Sequence, residues 1–78
     1  MIKTEYDHPV HAIIRHSNTR PADFFSKPYR IVLRDLGNEY VVHTQTMDDE
    51  SFHNGDYFND YDAALECFRA RAIRQGLY

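Results

Sequence analysis

Hydrophobic and polar positions alternate most regularly from Tyr29 to Arg34, where Tyr29, Ile31 and Leu33 interleave with Arg30, Val32 and Arg34 as a half-buried strand requires. Asp35-Leu36-Gly37-Asn38 then supplies a turn, with Gly37 free to take a positive φ. A return strand is expected from Glu39 to about Thr46, with Tyr40, Val42, Thr44 and Thr46 on one face and Val41, His43 and Gln45 on the other. After the polar connection Met47-Asp48-Asp49-Glu50-Ser51, the stretch from Phe52 to Phe58 reads as a third strand, interrupted or started by Asn54-Gly55-Asp56. The period then changes. Tyr61, Ala64, Leu65, Phe68 and Ala72 fall on one stripe of a helix expected from about Asp60 to Gln75, with Asn59 as N-cap, Asp62 as its reciprocal partner and Gly76 just past the end.

The pattern is weaker before Tyr29. Pro9 through His16 fits a short helix started by the proline, and fits a strand equally well because Ile13 and Ile14 are β-branched. Pro21 to Phe25 can make one helical turn that places Phe24 and Phe25 against the bottom of the core. The expected fold class is therefore α+β: a three-stranded antiparallel meander packed against one C-terminal amphipathic helix, with a short N-terminal helix or strand.

Composition narrows the function classes. The 78 residues, 42% of them hydrophobic with six Tyr and five Phe, suit one small domain spanning residues 1–78 and argue against disorder. So small a core leaves little room for a catalytic cleft with its own supporting shell, so an enzyme is not expected. The first residues contain no apolar leader, and no run approaches the roughly 18 apolar residues of a membrane-spanning helix, so a soluble, cytoplasmic protein is expected. Cys67 is the single cysteine, which excludes an internal disulfide and a cysteine-based zinc site; it is expected as a small apolar residue on the helix flank.

The order of the charges carries more information than the net charge of −3. Residues 35–68 hold nine acids (Asp35, Glu39, Asp48, Asp49, Glu50, Asp56, Asp60, Asp62 and Glu66) and no Lys or Arg, while the flanking segments 1–34 and 69–78 each carry +3. Those acids can be neutralised only by the two ends of the chain or by a partner. Arginines of the first strand and last helix folded back beside them would leave a mixed, solvated surface. The alternative is a negative patch of Asp48, Asp49, Glu50 and Asp56 on connections, with Phe52 and Tyr57 as local anchors, facing a protein partner with a basic surface. Direct nucleic-acid binding is not expected, because the cations are scattered; a small stripe of Arg30 and Arg34 with Arg69 or Arg71 is its only available form.

Other chemistry finds little support. Five histidines invite a metal reading, yet no His-Glu-x-x-His occurs, and His8 and His11 share a face only if their segment is helical. His43 could approach His53, Asp56 or Glu39 across the sheet. The run from Asp48 to Asn59 has oxygen ligands but not the order of a calcium loop, and Gly37, Gly55 and Gly76 are isolated, so no phosphate loop forms. No Ser, Asp and His grouping suggests a nucleophile, and no cofactor or metal is expected.

In general character, a single small acidic domain with a meander and one amphipathic helix, the chain resembles small inhibitors that bacteriophages and other mobile elements direct against host defence or nucleic-acid-handling complexes. The resemblance is one of type and carries no motif. It implies a non-enzymatic protein-binding module whose acidic loops occupy a basic, nucleic-acid-handling surface. The alternatives are a homodimeric regulatory or structural protein that self-associates through a strand edge or the helix and, last, a small metal-dependent enzyme.

Overall fold

A computed structural model describes residues 13–24 and 26–78. Four strands, β1 (Ile13–His16), β2 (Tyr29–Asp35), β3 (Tyr40–Thr46) and β4 (Ser51–Phe58), precede one helix, α1 (Tyr61–Gln75). The strands form one antiparallel sheet in the order β1-β2-β3-β4, so the meander has four strands and not three. The fourth comes from Ile13–His16, where β-branched Ile13 and Ile14 favour the strand alternative. Residues 8–12 of that same segment lie outside the described residues.

The β2–β3 hairpin pairs in the expected register, but β2 is not half-buried: Val32 and Arg34 on one face are as buried as Ile31 and Leu33 on the other. Leu33 opposes Val42, Ile31 opposes Thr44 and Asp35 opposes Tyr40. Gly37 takes φ 94° in the turn, where its N–H donates to Asp35 Oδ1 at 2.8 Å. Between β3 and β4 the register shifts: Val42 opposes Asp56 while Thr44 opposes His53, so Asn54 and Gly55 together face the single residue His43. This is a β-bulge, with Asn54 at φ 57°. Asn54-Gly55 therefore does not start the strand, which runs through it, but does interrupt its ladder with β3. Gly55 sits at a close approach: a Cβ there would lie 3.3 Å from both the Tyr57 ring and Val41 Cγ2, so those side chains would have to give by a few tenths of an ångström.

The helix lies across one face, with Ala64 and Phe68 buried against Ile31, Leu33 and Val42, Tyr61 and Leu65 partly buried beside them, and Ala72 buried further along the same stripe. Its N-cap is Asp60 and not Asn59, because the Asp60 carboxylate accepts from the Ala63 N–H at 3.0 Å; that register removes Asp62 from the reciprocal position. Gly76 ends the helix at φ 72° as expected. Leu77 then folds back into the core, its N–H donating to Ala72 O and its carbonyl accepting from Asn18 N–H, both at 2.8 Å.

Residues 21–24 form no helical turn, and Phe24 is 94% exposed, so it does not close the core; Phe25 lies outside the described residues. The local sequence explains the difference. Asp23 Oδ1 accepts from both the backbone N–H and the hydroxyl of Ser26, at 2.8 and 2.9 Å, a side-chain alternative to helical bonding.

Candidate functional site

The acidic turn between β3 and β4 is built by local polar bonds. Glu50 adopts φ 58°, and Asp49 Oδ1 accepts the Ser51 N–H at 3.1 Å. That bond chiefly holds the Asp49 carboxyl below its ordinary range, and nearby Lys27 adds to the effect. Met47 N–H donates to Pro28 O at 2.8 Å, tying this turn to the segment entering β2. Lys27 Nζ consequently stands 3.7 Å from Asp48 and 3.9 Å from Asp49. All three side chains are about half exposed or more, so the pairs are weak. Three carboxylates against one ammonium leave the turn negative.

The remaining expected site residues sit elsewhere. Asp56 lies at the bulge, 3.4 Å from Arg71 Nη1. Arg71 does more than pair with it. Its Nη1 also donates to the carbonyls of Val42 and Asn54, both at 2.9 Å, and its Nη2 to Thr44 Oγ1 at 3.1 Å. A helix arginine thus satisfies backbone acceptors that the bulge removes from the ladder. Phe52 is half-buried on the opposite face of the sheet, 4.0 Å from the Arg34 guanidinium and stacked on His43 with 4.5 Å between ring centroids. Tyr57 is exposed, paired with Val41 across the ladder. The structure thus distributes Asp48, Asp49, Glu50, Phe52, Asp56 and Tyr57 over the turn, the bulge and the face away from the helix.

A second acidic group was not singled out by sequence reasoning. Tyr40 opposes both Asp35 and Phe58, which places the β2–β3 turn and the start of α1 at the same end of the sheet. Asp35, Glu39, Asp60, Asp62 and Glu66 all belong to these elements; all but Glu39 are exposed, and none makes an ion pair among the described residues. Asp60, Asp62 and Glu66 line a shallow groove of about 540 Å³ whose remaining lining is Phe58, Ala63, Cys67 and Ala70. The available signal was the i, i+4 spacing of Asp62 and Glu66 beside Ala63 and Ala70 on the helix flank.

The basic stripe does not form. Arg30 and Arg34 alternate with Ile31 and Leu33 and so project from the face opposite α1, where Arg30 Nε donates to Gln45 Oε1 at 2.9 Å. Arg34 and His43 are both buried, 3.2 Å apart. A guanidinium can only donate, so His43 Nε2 is the acceptor and its ring proton resides on Nδ1. His43 therefore stacks on Phe52 and meets Arg34 on the face away from α1. His16 Nδ1 lies 3.0 Å from Ser17 O, and His53 is exposed.

Among the described residues no group of three or more His, Cys, Asp or Glu could hold a metal ion, and no helix is long and apolar enough to cross a membrane. Cys67 is half-buried; burial is the first cause that pushes its thiol pKa up, and the Asp56 carboxylate 3.8 Å away is the second. No protein-family model matches the chain, nor does any curated protein or solved structure.

Proposed function

We propose that the chain is a non-catalytic protein-binding module whose acidic surface engages a basic surface on a partner protein, of the kind that grips nucleic-acid phosphates, and so excludes the nucleic acid. The observation that carries this reading is the exposure of the acids. Eight of the nine carboxylates of residues 35–68 are exposed, and six of the nine make no ion pair among the described residues. Exposed like charges gathered on so small a molecule, 40 Å in its longest extent, repel one another and are relieved by an opposite surface. Such a field speeds encounter and selects cationic partners.

The experiment is a competition. The immobilised chain is used to isolate its partner from extracts of the source cell, and the purified partner is tested for nucleic-acid binding with and without the free chain. Displacement of nucleic acid by the wild-type chain, with at least about tenfold weaker displacement by the double variant Asp48→Lys, Asp49→Lys, supports the reading. Equal displacement by both proteins argues against the acidic turn. A partner with no basic surface argues against the function as a whole.

A further inference from the structure

Among the described residues β4 is the last strand of the sheet, with β3 as its ladder partner. Alternate residues of an antiparallel edge strand direct their N–H and C=O groups away from their neighbour, which makes such an edge a template for another strand. The bulge divides this edge. On one side Asn54 has a positive φ and its carbonyl is taken by Arg71; beyond the bulge, residues 56–58 return to a regular register opposite β3, and residues 56 and 57 are exposed.

Beside this regular stretch runs the helix-flank groove. Phe58 belongs to both strand and groove, and Asp60, Asp62 and Glu66 supply its charge. Phe58, Ala63 and Ala70 give an apolar floor suited to the methylene stem of a long cationic side chain, while the three carboxylates stand where its charged head would end. A second copy of this chain is a poor occupant, because it would bring another Asp56, Asp60, Asp62 and Glu66 against the first set.

We infer that the outer edge of β4 over residues 56–58 takes an extended segment of a partner protein as a fifth strand, with alternate Lys or Arg side chains of that segment entering the groove of Asp60, Asp62 and Glu66. The inference rests on the protein-binding reading above and gives it a mode: main-chain bonds supply the pairing and the carboxylates supply the selection.

The probe is a fluorescein-labelled heptapeptide that alternates lysine with valine, titrated by anisotropy against the wild-type chain at low salt, with amide hydrogen exchange recorded in parallel. Two further peptides carry N-methyl groups on alternate backbone nitrogens, one set in each phase. The expected result is saturable binding, slowed exchange confined to β4, loss of binding in one N-methyl phase and its retention in the other. The triple variant Asp60→Asn, Asp62→Asn, Glu66→Gln, which keeps an N-cap, should weaken binding about tenfold or more, whereas Asp48→Lys, Asp49→Lys should leave it within about twofold. Absence of saturable binding overturns the inference, as does binding indifferent to both N-methyl phases, which would be electrostatic adsorption. If the purified partner depends on Asp48 and Asp49 but not on the groove variant, the protein-binding reading stands and this mode fails.

Discussion

Arg71 shows at the scale of one residue how a charged helix side chain becomes structural. Its guanidinium reaches across from α1 to two carbonyls, one hydroxyl and one carboxylate, and its side chain is only 14% exposed. Arg71→Ala leaves the carbonyls at the bulge without those donors and should lower unfolding stability by about 2–3 kcal/mol in urea titration. Arg71→Lys should recover part of this, since an ammonium can reach some but not all of the same acceptors. Asp49 gives a smaller, pH-dependent effect. Its folded pKa lies below the ordinary value, so its stabilising contribution is present above the ordinary aspartate range and is lost as pH falls through the lowered value. Asp49→Asn should therefore show a shallower loss of stability on the acid limb than wild type, measured by urea midpoints over a pH series.

At the scale of elements, the caps decide where α1 begins and ends. Asp60→Ala removes the acceptor for the Ala63 N–H and should cost about 1 kcal/mol; Gly76→Ala forces a Cβ into φ 72° and should cost a similar amount, about 1 kcal/mol. Thermal unfolding by circular dichroism checks both. The β2–β3 hairpin and the buried stripe of α1 were legible from the sequence because one period governs each: Ile31 and Leu33 alternate, and Ala64, Phe68 and Ala72 recur at helical spacing. The bulge was not legible, because Asn54-Gly55 carries the same local signal in a turn as in a strand with an extra residue. The N-cap slipped from Asn59 to Asp60 because two adjacent residues of equal capping ability leave the choice to how the helix seats on the sheet. Phe24 misled because hydrophobicity alone cannot outweigh the polar bonds of Asp23 and Ser26 that turn the chain there.

At the scale of the whole molecule, chain order and spatial order of charge differ. Sequence grouped Asp48, Asp49, Glu50 and Asp56 because they are near neighbours in the chain, but a strand of eight residues separates the turn from α1, and the bulge gives Asp56 to Arg71. The acids without ion-pair partners among the described residues belong mainly to the other end, where the pairing of β2, β3 and β4 puts the turn of Asp35 and Glu39 at the same end of the sheet as Asp60 and Asp62. That arrangement could not be seen before the register was known. Of the folded-back neutralisation by strand and helix arginines considered from sequence, Arg71 with Asp56 is the one instance among the described residues, and Lys27 adds pairs to Asp48 and Asp49.

The central claim is that this exposed negative surface attracts a cationic partner, and the most direct measurement is the association rate with the isolated partner across a salt series. The account predicts that the wild-type rate falls about tenfold or more between low and physiological ionic strength, and that a variant with Asp48 and Asp49 changed to Lys and Asp60, Asp62 and Glu66 neutralised starts slow and responds little to salt. A wild-type rate insensitive to salt, and matched by that variant, would contradict it.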